Sequence, residues 1–247
     1  MNSLALVRAH ARVGFLDLIR WPGYVVPTVV FPAMFYVLFD LPFARRSVPI
    51  ADATALAFIV FAIAGVTFYQ FGVGIAQERG RPWERYIRTL PAPASVRFAA
   101  RIGVALAFGI MTASLVALTA RAFTPIDLSI SQWLRVFVYC LAGGVPFVLI
   151  GISLGYWVSA RAAVPIATAL NLLLAYAGGL WMPPSDLPRF VAAISPYLPT
   201  REFAELLWSV AGSGETLRPL FGLAAYAALF GIAATVGYRR DERKRYA

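Results

Sequence analysis

Charge is the scarcest ingredient of this sequence. Asp, Glu, Lys and Arg together make up 14% of its 247 residues, against roughly 25% in a soluble domain. There is a single lysine, Lys244, a single histidine, His10, and a single cysteine, Cys140. A phosphate-binding Walker A loop needs a Gly-Lys-Ser/Thr step, because the lysine must reach the phosphates. Lys244 stands between Arg243 and Arg245, so no such loop can be written on this chain. One cysteine closes no internal disulfide and says nothing about redox compartment. Cys140 lies inside an apolar run and reads as a small core residue. No His-Glu-x-x-His motif or Cys/His cluster is present to suggest a metal site. The first twenty residues also lack the uninterrupted apolar centre of a cleaved signal peptide, since Arg8, Arg12, Asp17 and Arg20 break it up.

What is abundant is hydrocarbon, at 60% of the residues. It is gathered into six charge-free runs: Trp21–Phe39, Ala53–Ala76, Ile102–Ala120, Val136–Ala160, Ala162–Ser185 and Pro219–Tyr238. About 20 such residues in a helix cross a hydrocarbon core about 30 Å thick. Backbone groups in lipid must be satisfied within their own segment, so runs like these predict helices rather than an open sheet. The expected fold is therefore an all-α membrane protein of six transmembrane helices, with too little chain left over for a soluble domain. Its parts follow in order: an interfacial helix over 1–20, spans one and two over 21–76, a cytoplasmic segment over 78–93, spans three to five over 98–185, an outer loop or re-entrant segment over 186–216, span six over 217–238, and a basic tail over 239–247. In the first segment Leu4, Val7, Val13, Leu16 and Ile19 oppose a basic side, the pattern of a helix lying in the membrane interface. Pro22, Pro27 and Pro32 in span one, Pro146 in span four and Pro165 in span five predict bends, because proline frees a helical carbonyl.

The basic residues are unevenly shared. With both termini on one side, that side holds 15 of the 22 Lys and Arg residues and the other holds 7. Acidic residues divide five and seven, so the whole formal charge of +10 falls on the side of the termini. Basic residues near span ends favour the cytoplasm, which places both termini there. An anionic cytoplasmic leaflet accounts for this basicity without nucleic acid.

The densest charge lies in ERGRPWERYIRTLPAP, residues 78–93, between spans two and three. From Pro82 onward, Trp83, Tyr86, Ile87 and Leu90 fall at helical spacing on one stripe, while Glu84, Arg85 and Arg88 face away. Pro82 suits a first helical turn, and Pro91 and Pro93 end it. Residues 82–90 thus predict a short helix on the inner membrane surface. A solvated loop that only sets topology explains the arginines. It leaves unexplained the stripe, the bounding prolines and the acids Glu78 and Glu84. A protein docking on this helix explains all of them.

This stretch resembles the cytoplasmic coupling helix of ABC-2-type transporter permeases. Glu78, Arg79, Trp83, Arg85, Arg88 and Pro91 match that pattern, while Pro82 replaces the usual glycine and Leu90 stands where threonine is common. GGLWMPPSDLPRFVAAISPYLPTREFAELLW, residues 178–208, is similar to the same family's segment after span five. There Gly178, Gly179, Pro183 and Pro184 match the small-residue and proline-bearing step that leads into short outer helices, a cap that reads equally as an outer gate or as inert packing. The resemblance implies a membrane subunit in a bacterial inner membrane, without a cofactor of its own. It implies two copies of a separate ABC ATPase, carrying ATP and Mg, and a second permease chain, identical or related. Coupling would then fall to Glu78, Arg79, Trp83, Glu84, Arg85 and Arg88, and the cargo would be an amphipathic or lipid-like molecule, a drug or a glycan.

Two rival readings come from the residues. GISLG at 151–155 fits the G-x-S-x-G pattern of a hydrolase nucleophile, Ser153, but it falls mid-span without the strand–turn–helix context that pattern requires. Gly151 and Gly155 read better as a small face for close helix approach. A non-transporting membrane scaffold is the other rival. The spans contain no ionisable residue, which argues against an ion pore or a proton-coupled carrier. They suit a route for something amphipathic or large, for which Phe35, Phe68, Gln70, Asn171 and Tyr176 are the candidate lining.

Overall fold

A computed structural model describes residues 3–79 and 94–246, and every regular element among them is helical. α1 (Ser3–Ile19) leads into six long helices, α2 (Pro22–Ala44), α3 (Val48–Arg79), α4 (Ala94–Phe123), α5 (Ile130–Trp157), α6 (Ala160–Ala177) and α9 (Leu217–Tyr246). Each of the six is long and apolar enough to cross a membrane, and each grows from one of the six apolar runs. Between α6 and α9 lie two shorter helices, α7 (Arg189–Ile194) and α8 (Pro199–Trp208).

α3 is the hub. Its most apolar window is 83% buried, against 17% to 44% for the other five spans. The sequence dictates this, because Ala55–Val66 carries no polar side chain on any face, and a helix apolar all round is a buried one. Its neighbours approach closely where side chains are missing. A Cβ on Gly151 of α5 would lie 2.8 Å from the Thr67 carbonyl oxygen of α3, and one on Gly155 would lie 2.7 Å from Ile75 Cβ. The G-x-S-x-G stretch is therefore a packing face. Ser153 donates its hydroxyl to the carbonyls of Leu149 and Phe230, joining α5 to α9.

One feature departs from the sequence reading, which expected spans without ionisable residues. The helices run past the charge-free segments, so α2 takes in Asp40 and α3 takes in Asp52, both buried. Asp52 accepts a hydrogen bond from the Asp127 backbone N–H. A charge ends a run on paper, but a helix continues through it where the side chain is accommodated. In α1, Leu4, Val13 and Leu16 are exposed, and Ala11, Phe15, Leu18 and Ile19 pack on α2 and α4. Phe15 meets Phe108 of α4 with ring centroids 5.1 Å apart.

The prolines of α2 accompany a loosened helix, while Pro146 and Pro165 leave theirs α-helical throughout. α2 alternates between α-turns and the wider π-turns, with π-segments at Val26–Val30 and Tyr36–Asp40. Proline lacks the N–H that would close a normal turn and its ring crowds the preceding carbonyl. Pro146 and Pro165 are held inside α5 and α6. α6 ends at Ala177, short of the apolar run, because Gly178 and Gly179 follow and Gly179 takes φ +74, a left-handed conformation that suits glycine.

Candidate coupling site

Among the described residues, the cross-helix ion pairs lie at the end of the bundle that carries the C-terminus. α3 finishes there with Glu78 and Arg79, the last described residues before the 80–93 segment, and α4 begins at Ala94. Arg79 reaches two other helices. Its Nη1 donates to Asp241 Oδ1 of α9 at 2.9 Å, and its Nη2 donates at 2.9 Å to the carbonyl of Val158, just past α5. Its guanidinium also lies 5.8 Å from the Tyr156 ring centroid. A planar guanidinium with five fixed donors suits such a junction, where lysine would offer only a point charge. Glu78, on the same turn, pairs with Arg101 of α4. Gly74 leaves room for that arginine, whose Nη1 would lie 3.6 Å from a Cβ there.

α9 reaches this junction because it is long. Thirty residues make a helix of about 45 Å, some 15 Å more than a hydrocarbon core about 30 Å thick. Asp241 sits in that excess. α5 and α9 are fastened just before it. Trp157 Nε1 donates to the Ala233 carbonyl, Arg240 lies over the Trp157 ring, and Tyr156 meets Tyr238 edge-on. Gly237 makes the fit, since a Cβ there would lie 2.8 Å from both Trp157 Nε1 and Tyr156 Cβ.

Of the six coupling candidates, Glu78 and Arg79 are thus placed together at a four-helix junction. Trp83, Glu84, Arg85 and Arg88 lie outside the described residues. Sequence reading missed Arg101, Tyr156, Val158 and Asp241. The signal available for Asp241 was its sign, an acid within the basic run RRDERKR. Nothing in the sequence alone paired Arg101 with Glu78.

The pathway candidates are not gathered into one cavity. Phe68 is fully buried and packs on Phe147. Phe35 belongs to an aromatic cluster with Phe61 and Trp181. Gln70 sits in a π-turn of α3 (Phe68–Val73), and Asn171 of α6 abuts Gly65. Both are buried, and Gln70 Nε2 and Asn171 Oδ1 have no hydrogen-bond partner among the described residues. Tyr176 is half-buried at the end of α6.

The opposite end is built by packing. A Cβ on Gly178 would fall 2.4 Å from Thr200 Oγ1, and that hydroxyl donates to the Leu174 carbonyl. Gly179 lies against Pro184, and Pro183 precedes the short 3-10 turn Pro184–Asp186. The four gate candidates thus form the corner that turns α6 toward α8. α8 tucks inward, with Phe203 against Phe147 and Gly143 in the middle of α5, while Gln132 near the start of α5 donates to the Val210 carbonyl just beyond α8. Glu202 of α8 is buried against Gly222 of α9. Burial raises its pKa above the ordinary carboxylate value, and the charges of Arg218 and Arg201 only partly offset that.

The ABC-2 type transporter family model matches residues 6–210, most of the chain. The chain belongs to the ABC-2 type transporter family. It is similar to a Bacillus subtilis (strain 168) protein named "Putative transport permease YvfS", 26% identical over 224 residues that cover 89% of this chain and 91% of that one. No solved structure matches the chain significantly. The six apolar helices and the family together make this a multi-pass membrane protein and the membrane subunit of a transporter. ABC-2 membership carries association with ABC ATPase partners.

Proposed function

We propose that this permease is the membrane half of an ATP-driven exporter whose motor is a separate ABC ATPase pair docking on residues 82–90. ATP and Mg belong to that partner. Two permease chains, identical or related, flank the substrate route in a bacterial inner membrane with both termini cytoplasmic. The charge bias of the sequence supports this orientation. α1 lies in the interface, and α7 with α8 forms a re-entrant cap on the outer side. The inward course of α8 beside the middle of α5 supports the cap. The cargo is amphipathic or lipid-like, a drug or a glycan, in keeping with Asp40 and Asp52 lying near the ends of α2 and α3 rather than at their middles, where a proton or ion relay would need them.

The observation that carries the reading is Arg79. The residue from which the 80–93 segment departs is bonded to α9 and to the end of α5, while its neighbour Glu78 is bonded to α4. A push on that segment therefore reaches four helices at once. In mechanism, closure of the ATPase pair moves 82–90, the junction carries the movement into the bundle, and the outer corner at Gly178–Pro184 opens for release.

The test is a gentle detergent pull-down of the tagged chain from its native membrane, with mass spectrometry of what stays bound. A P-loop ATPase should co-purify and should be lost when Arg85 and Arg88 are both changed to Glu. Recovery of the intact permease with no ATPase under those conditions refutes the docking.

A further inference from the structure

α4 and α5 are neighbours in sequence, yet they diverge and leave a groove between them, floored by α3. The groove encloses about 510 Å³. On α4 its lining runs from Ile102 to Ala117, a rise of about 22 Å along the helix. Its walls are almost wholly hydrocarbon. The Thr67 hydroxyl at its floor is already donated to the Ala64 carbonyl of its own helix.

The lining is a narrow apolar strip about 22 Å long, the reach of one extended acyl chain. An apolar helix of a second copy laid along it would leave the arginine at its end without a partner, whereas a phospholipid brings an anionic group to that point. One lining position shows the vacancy directly. A Cβ added to Gly109 would meet nothing within 4 Å. At the end away from the termini, Arg121 lies four residues beyond the lining residue Ala117 and so on the same face of α4. It is exposed and forms no ion pair among the described residues.

We propose that this groove is a site for a resident phospholipid, one acyl chain lying between α4 and α5 and the phosphate meeting Arg121. A guanidinium is a natural donor to phosphate oxygens, and it reaches the headgroup level while its stem stays in hydrocarbon. The site stands on the membrane setting alone and is independent of the ATPase reading.

The test is native mass spectrometry of the full permease, stripped of lipid in detergent and back-titrated with phosphatidylglycerol. One phospholipid per chain should be retained. Gly109→Phe should abolish retention while leaving helical content and melting temperature unchanged, because it fills empty space. Arg121→Gln should weaken retention about fivefold, the scale of one basic residue at an anionic surface. Arg135→Gln, which lies off the lining stripe of α5, should not change it. Alkylation of Cys140, the single cysteine and a lining residue, by a hydrophobic maleimide should slow as phosphatidylglycerol is added, which tests the wild-type groove without any variant. The proposal is overturned if no phospholipid is retained, if Gly109→Phe retains it as well as wild type, if Gly109→Phe instead breaks an oligomer, or if Cys140 reacts at the same rate with and without the lipid.

Discussion

The two ends of the bundle are held by different physics. At the terminal end, helices meet through Arg79–Asp241, Glu78–Arg101 and a guanidinium on a backbone carbonyl. At the opposite end no ion pair joins two helices among the described residues, and the helices meet through Gly178 pressed on Thr200, the Trp208 indole donating to the Ala53 carbonyl and Arg45 donating to the Phe123 carbonyl, with Gly143 pressed on Phe203 deeper in the bundle. Partly exposed ion pairs are weak and exchange partners readily. Close-packed contacts do not slide, since close-packed interiors resist deformation and transmit strain. The difference teaches where the molecule can be driven. The charged end can rearrange when something pulls on the 80–93 segment, and the packed end can pass on only a movement of the whole corner.

That contrast can be broken at several points, in decreasing order of expected effect. Gly143→Leu is the most damaging, because even a Cβ there would lie 2.3 Å from the Phe203 ring. Overpacking of this kind costs about 3 kcal/mol or more, a fall of roughly 10 °C in melting temperature, read by thermal unfolding in detergent. Arg79→Ala removes two charge-assisted hydrogen bonds and should cost about 2 kcal/mol. Melting should fall by roughly 4–8 °C, and ATP-driven transport should fall much further than stability does. Glu78→Gln, which weakens one partly exposed pair, should cost about 0.5 kcal/mol and move melting by only a degree or two. If it proves as damaging as Gly143→Leu, the contrast between the ends fails.

The smallest effect concerns Glu202. Its pKa is raised in the fold, mainly by burial. The protonated carboxyl is therefore favoured by the native state, and the contribution is fully present below the unfolded pKa. It is lost as pH rises through the raised folded value. Wild-type melting should decline across that window, and Glu202→Gln should flatten the decline. An identical slope in both proteins contradicts the assignment.

Most of the fold was legible because membrane spans write themselves in long apolar runs. α3 announced its central place by having no polar face, and Gly151 and Gly155 announced close approach by their spacing. The widened turn at Val26–Val30 of α2 is in keeping with Pro27, which the sequence singled out. The packed face of α1 was not legible, because Ala11, Phe15 and Leu18 are no more apolar than Leu4, Val13 and Leu16, and only the position of α4 chooses between them. The ends of the helices were missed for a related reason. Asp40 and Asp52 break a hydropathy run but not a helix, and burial of a carboxylate depends on contacts far along the chain, such as the Asp127 N–H. The coupling site was half legible. Glu78 and Arg79 stood out beside the basic segment, but their partners Arg101 and Asp241 lie 23 and 162 positions away, and only tertiary structure joins them.

The most direct test of the central claim is a charge swap across the junction. ATP hydrolysis by the purified permease–ATPase complex would be measured for Arg79→Asp, for Asp241→Arg and for the two combined. If movement passes through this contact, each single reversal should lower hydrolysis about tenfold, and the double variant should recover much of it, a coupling of roughly 1.4 kcal/mol or more between the two sites. Single variants that hydrolyse ATP at the wild-type rate, with a double variant no different, would show that the stroke enters the bundle somewhere else.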